Sequence, residues 1–145
     1  MLGDLSWTGW SSIPKIDVIN TDAGTVAQTL DTNFRNTWRL ALGGNYKYDG
    51  NTTLKFGVAY DQTPVRGAST RLVSLPDNDR IWLSTGAQWQ LSPSSKIDAS
   101  IAYVHVRDSK IDNDQTTVVP SRGRVTGEFT DVNFWLLGVQ YSTSF

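Results

Sequence analysis

Alternation with a period of two runs through most of this chain and points to extended strands rather than helices. From Trp38, the sequence WRLALGGNYKY puts Trp38, Leu40, Leu42, Gly44, Tyr46 and Tyr48 on one face of a strand. Arg39, Ala41, Gly43, Asn45 and Lys47 fall on the other, because successive Cβ atoms point to opposite sides. Asp49-Gly50-Asn51 then signals a tight turn. TLKFGVAYD alternates again, with Leu54, Phe56, Val58 and Tyr60 set against Lys55, Gly57, Ala59 and Asp61. The two segments read as a hairpin. RIWLSTGAQWQL sets Ile81, Leu83, Thr85, Ala87, Trp89 and Leu91 against Arg80, Trp82, Ser84, Gly86, Gln88 and Gln90. Past the turn Ser92-Pro93-Ser94-Ser95, Ile97, Ala99, Ile101 and Tyr103 oppose Asp98, Ser100, Ala102 and Val104. The closing NFWLLGVQYSTSF groups Trp135, Leu137, Val139, Tyr141, Thr143 and Phe145, and an earlier strand is expected over LGDLSWTGW and some residues beyond.

About six antiparallel strands result, joined alternately by short turns and long polar connections. The long ones follow the first strand, run from Gln62 to Asp79 with Pro64, Gly67 and Pro76, and run from about Asp108 to Glu128. Long loops at one end and short turns at the other are the layout of bacterial outer-membrane barrels. The aromatics sharpen that reading. Trp38, Tyr60, Tyr103 and Trp135 stand at the long-loop end of the apolar face, and Tyr46, Tyr48, Trp89, Tyr141 and Phe145 at the short-turn end. Leu40, Leu42, Val58, Leu83, Ile101, Leu137 and Val139 lie between them, an apolar band with an aromatic girdle at each edge. The fold class expected is an all-β, up-and-down transmembrane barrel, of which this chain supplies about six strands.

Composition neither supports nor excludes this. The chain is 39% hydrophobic with a net charge of −1, as a soluble protein would be. A helical span needs about 18 or more apolar residues in a row, and the longest runs here are a few residues. A spanning strand needs only about 9–11 residues, half of which face the lumen. Near-neutral charge argues against a nucleic-acid partner. With no cysteine and one histidine, His105, neither a disulfide framework nor a metal cluster is expected, and no cofactor. No GxSxG or phosphate-cradling loop suggests catalysis. Asp112 and Asp114 in KIDNDQ lack the glycine and distal glutamate of a calcium loop and read as solvated. The start, MLGDLSWTGW, has no signal-peptide pattern and opens almost directly into strand, as though cut from something longer.

The segments LSWTGWSSI, FRNTWRLALGGNYKYDGN, LKFGVAYDQTPV, SLPDNDRIWLSTGAQWQL, KIDASIAYVHV and LLGVQYSTSF resemble, in order, the C-terminal portion of the FadL-type transporters of long-chain fatty acids and aromatic hydrocarbons. AYDQTPV and PDNDRIWLS are the most distinctive. The resemblance implies a fourteen-stranded barrel plugged by an N-terminal hatch, passing hydrophobic acids across the outer membrane of a Gram-negative bacterium without direct energy input. The hatch and roughly the first eight strands have no counterpart here, so residues 1–145 are expected to be the C-terminal part of such a barrel. Expected partners are a fatty acid or similar hydrophobic molecule, outer-membrane lipids and, through the terminal aromatic Phe145, the barrel-assembly machinery.

Candidate ligand-binding residues are Arg35 and Arg39, at the start of the second strand, and Arg80, any of which could orient a carboxylate. Each also has a structural reading: Arg80 in an ion pair with Asp77 or Asp79, and Arg39 in a charge network with Asp61 or Asp98. The basic residue expected ahead of FRNTWRLALG is missing where Leu30, Asp31 and Thr32 stand. Trp82 and Trp10, placed on the polar face, could line a hydrophobic path or fill the lumen. The alternatives to transport are a non-transporting structural or adhesive barrel and a soluble β-sandwich binding module, with a barrel-embedded enzyme further off.

Overall fold

A computed structural model describes residues 1–22, 24–73, 75, 77–116 and 123–144. In chain order the strands are β1 (Leu2–Thr8), β2 (Lys15–Asn20), β3 (Thr25–Asp31), β4 (Thr37–Lys47), β5 (Thr52–Asp61), β6 (Arg80–Ser92), β7 (Ser95–Val106), β8 (Ser109–Asp114), β9 (Arg124–Phe129) and β10 (Asn133–Thr143). Six of them form one antiparallel sheet in the order β1-β4-β5-β6-β7-β10. The other four pair as two separate hairpins, β2-β3 and β8-β9.

Register confirms the facing. Leu40 lies opposite Tyr60, Val58 opposite Leu83, Thr85 opposite Ile101, and Ile101 opposite Leu137. A one-residue slip anywhere would have moved a whole apolar set to the other side. On β1, Leu5 and Trp7 join the same face, opposite Leu40 and Trp38. The turn after β4 is closed by Asp49, whose Oδ1 accepts the N–H groups of Asn51 (2.8 Å) and Thr52 (2.7 Å). Between β6 and β7 only Pro93 and Ser94 intervene.

Exposure is inverted relative to a water-soluble sheet. Leu137 and Val139 are 81% exposed, and Leu40, Leu42, Phe56 and Leu83 each about half exposed. A soluble sandwich would bury this face against a second sheet, yet among the described residues none packs on it. A contiguous apolar surface of this extent is rare on soluble monomers and marks a membrane-facing or binding surface. Between Trp38 and Tyr46, β4 advances eight residues, or roughly 26 Å at about 3.3 Å each. With the usual barrel tilt, that approaches the apolar band of about 25 Å.

Three expectations change. The first strand does not continue past Thr8; Trp10 lies in a 3-10 turn, Trp10–Ser12, outside the polar face. Its partner β4 begins at Thr37, which faces Thr8, so beyond that point β1 has no ladder to join. Arg35 precedes β4 instead of opening it. Two of the long connections carry the β2-β3 and β8-β9 hairpins. Phe145 lies outside the described residues.

Candidate functional site

The polar face of the sheet has three zones. At the long-loop end its charges are paired across strands. Arg39 reaches Asp4 (3.5 Å), and Arg80 reaches Asp61 (3.1 Å) and Asp77 (3.6 Å). Arg80 thus takes the structural role open to it from sequence. Arg39 sits opposite Asp61 in register, yet its guanidinium turns to β1, because Asp61 is held by Arg80 from the other side.

The middle zone is nearly bare of side chains. Gly43, Gly57 and Ser84 align across β4, β5 and β6, and Gly86, Ser100 and Gly138 across β6, β7 and β10. A Cβ added at Gly57 would lie 2.7 Å from Ser84 Oγ, and one at Gly86 2.7 Å from the carbonyl oxygen of Ala99. Trp82 lies between the outer and middle zones on β6, opposite Ala59 and Val104, the latter almost fully buried. Toward the short-turn end, Lys55 donates to Asp98 Oδ1 (2.6 Å) across β6, and Gln88 Nε2 donates to both oxygens of the same carboxylate.

Above the outer zone the connections form a cap with its own small core: Phe34, Val65, Leu72, Val106 and Ile111 are buried there. Trp10 belongs to this cap, its ring edge-on to Phe34 at 6.2 Å. Arg71, buried in the cap, donates to the backbone carbonyls of Asp77 (3.1 Å) and Lys110, while Asn113 Nδ2 donates to the Arg71 carbonyl (2.9 Å). The β8-β9 hairpin is thereby tied to the connection between β5 and β6.

Asp79 is the hub. Its Oδ2 accepts from the Tyr60 hydroxyl (2.7 Å) and its Oδ1 from the Thr63 N–H (2.9 Å). Arg35 and Arg107 stand at 3.6 and 3.7 Å, and Arg35 also donates from Nε to the Thr63 carbonyl (3.0 Å). Asp77 Oδ2 accepts from Thr63 Oγ1 (2.6 Å). AYDQTPV and PDNDRIWLS are therefore two halves of one staple. Of the five candidates, Arg39, Arg80 and Trp82 share the polar face, whereas Arg35 and Trp10 belong to the cap. Sequence reading named Asp79 only as a possible partner of Arg80, whereas it pairs with Arg35 and Arg107; it missed Thr63 and Arg71, for which the signal available was two dense polar motifs separated by a connection, which is what a staple requires.

Burial pushes the Asp79 carboxyl up, but the hydrogen bonds from Tyr60 and Thr63 with the nearby Arg35 and Arg107 outweigh it and hold the group below its ordinary value. A carboxylate depressed in the folded state stabilises it above the unfolded value, about 3.9, and that stability is lost as pH falls through the lower folded value. Amide exchange of residues 62–73 and 107–114 is therefore expected to accelerate selectively below about pH 4. Equal acceleration in β4–β7 would place the acid-labile element elsewhere.

Two of the girdle tyrosines point their hydroxyls toward polar partners at strand ends, Tyr103 to Asn133 (2.8 Å) and Tyr141 to Ser95 (3.2 Å). That is the posture of amphipathic rings at a membrane–water interface. Comparison with known proteins agrees. The chain shares 30% identity with a putative outer membrane protein of Neisseria meningitidis, over its whole length and 33% of that protein. It shares 32% with the long-chain fatty acid transport protein of Escherichia coli K12, over 97% of this chain and 29% of that one. The crystal structure of a Pseudomonas aeruginosa FadL homologue superimposes with a TM-score of 0.76 at 32% identity, covering 96% of this chain and 30% of that one. The chain thus spans about a third of the length of these relatives, and its polar face is the lumenal wall of an outer-membrane barrel. All of residues 1–145 match the family described as outer membrane protein transport protein (OMPP1/FadL/TodX), and the chain belongs to that family.

Proposed function

We propose that these six strands are the C-terminal wall of a larger barrel that passes long-chain fatty acids or similar hydrophobic compounds across the outer membrane, without direct energy input. The observation that carries this is the two-faced sheet, apolar and exposed on one side, with charges and bare glycine positions on the other. Six strands do not close a pore, since the smallest common barrels use eight, so the remaining wall and the N-terminal hatch belong to sequence beyond these residues. The protein is a conduit in this reading and not an enzyme. Apolar burial, about 0.8 kcal/mol per methylene, supplies the affinity, and the bare middle zone leaves room for a chain to lie against the wall.

Assembly into the membrane is read as depending on the C-terminal strand, with Phe145 as the residue the assembly machinery recognises. Uptake of labelled oleate by cells expressing the complete protein is expected to exceed that of a deletion strain. Equal uptake by the two would overturn the transport reading and leave a structural or adhesive barrel.

A further inference from the structure

The membrane-facing side of β6, β7 and β10 is not a plain apolar wall. A depression of about 390 Å³ lies on it, lined by Leu83, Ser84, Thr85, Ile101, Tyr103 and Trp135. These three strands are neighbours in the sheet, so the depression is complete within this chain, and it opens away from the lumen. Toward mid-membrane Ala87 faces Ala99, flanked by Leu54 and Val139. Two methyl groups between larger side chains prolong the depression as a furrow. At its outer end the rings of Tyr103 and Trp135 lie 4.8 Å apart between centroids, tilted by 46°.

Polar groups crown the furrow. Asn133 Nδ2 donates to the Asp131 carbonyl, so its Oδ1 is the atom that accepts from the Tyr103 hydroxyl and from His105 Nδ1 (2.9 Å). With the proton on Nδ1, His105 Nε2 is an acceptor, and no donor among the described residues meets it. One row farther out, the Arg107 N–H continues the ladder to the Asp79 carbonyl (3.0 Å). The Arg107 guanidinium, 64% exposed, shares the single Asp79 carboxylate with Arg35, at 3.7 and 3.6 Å. Two guanidiniums on one carboxylate leave a net positive charge. Asp108 and Asp131 adjoin it in the loops, where the Asp131 N–H bonds Asp108 Oδ1 (3.2 Å). A bare anion would meet repulsion there, whereas hydroxyl groups could donate to those carboxylates. The fitting ligand therefore carries an acyl chain, a phosphate and several hydroxyls.

We propose that the furrow and its crown bind a phosphorylated glycolipid of the outer leaflet, with an acyl chain along Thr85 and Ala99, the phosphate at Arg107 and Arg35, and sugar hydroxyls at His105 and Asp131. The site lies on the outside of the wall and is independent of what passes through the lumen. Tail burial supplies affinity, and guanidinium–phosphate contacts supply selectivity. Phosphatidylethanolamine offers a tail and a phosphate, but its ammonium cancels the charge that the guanidiniums attract.

The test titrates the complete barrel, delipidated in detergent, with lipid A and separately with phosphatidylethanolamine, counting bound lipid by native mass spectrometry. Thr85→Trp fills the furrow with an apolar ring, and Arg107→Gln removes a crown cation. Each is expected to weaken the tightest lipid A binding on the order of tenfold, with the barrel still folded by its heat-modifiable gel mobility. Leu42→Trp, on the same face of β4 but outside the furrow, is expected to leave that binding unchanged. Wild-type affinity in Thr85→Trp overturns the furrow as the tail site, and wild-type affinity in Arg107→Gln overturns the crown as the phosphate site. An equal loss in Leu42→Trp would reduce the site to general contact with the bilayer. Equal binding of phosphatidylethanolamine by the wild-type barrel overturns the glycolipid assignment.

Discussion

Leu137→Arg is expected to destabilise the folded barrel by about 2–4 kcal/mol, the cost of an arginine facing hydrocarbon near mid-bilayer. Leu137 stands opposite Ile101 in the middle of β10, on the face bounded by Trp135 toward one girdle and Tyr141 toward the other. Its side chain is fully outward, so the substitution creates no cavity and breaks no internal contact; the penalty comes from the surroundings alone. Gln140→Arg, three residues on, faces the lumen opposite Asp98 and is expected to cost far less. Urea titration of the complete barrel refolded in lipid vesicles measures both. Similar losses for the two would refute the facing, whereas a loss confined to Leu137 would exclude a water-exposed sheet.

The second large effect is expected from Asp79→Ala. The change leaves the Tyr60 hydroxyl and the Thr63 N–H without their acceptor and strands Arg35 and Arg107 without their carboxylate. Hydrogen bonds to a charged group are worth about 1.5–3 kcal/mol, and this carboxylate is largely shielded, so a loss of that size is expected. It falls on the cap. Protease sensitivity should rise between residues 62 and 73 and across 107–114, while the strands keep their protection. Asp79→Asn retains an acceptor oxygen for Thr63 and is expected to open the cap less. If Ala and Asn behave alike, charge rather than hydrogen bonding holds the staple; if neither has an effect, Asp79 is not the hub.

How much of this was legible beforehand differs between the sheet and the cap. The six sheet strands and their facing could be read because a strand with hydrocarbon on one side and a polar lumen on the other must alternate strictly. The hairpins in the loops could not. Every residue of β2 is exposed, so neither face selects apolar side chains, and the brief alternation of Lys15-Ile16-Asp17-Val18 breaks at Ile19, where the register shifts. In β8 the buried positions are Ser109, Ile111 and Asn113. Alternation exists there in burial but not in hydrophobicity, because two of the three inward side chains are polar.

The candidate residues divided the same way. Arg39 and Arg80 were placed on the correct face, and Trp82 with them, since facing follows from position in the strand. Trp10 was misplaced because the first strand ends when its partner does, and nothing at Gly9 or Trp10 announces where β4 begins. Partner choice among Asp4, Asp61, Asp77 and Asp98 was out of reach for a related reason: long side chains cross to neighbouring strands, and which one they meet depends on register and on competition for the same carboxylate.

The sequence by itself thus determined the strand count of the wall, the two faces, the girdles and the sorting of loops, because each follows from the identity of a residue and its parity along the chain. Only the tertiary structure decided that the loops fold into a stapled cap and that the outer charges are mutually satisfied. Those are properties of distances between residues far apart in sequence, and no local period encodes them.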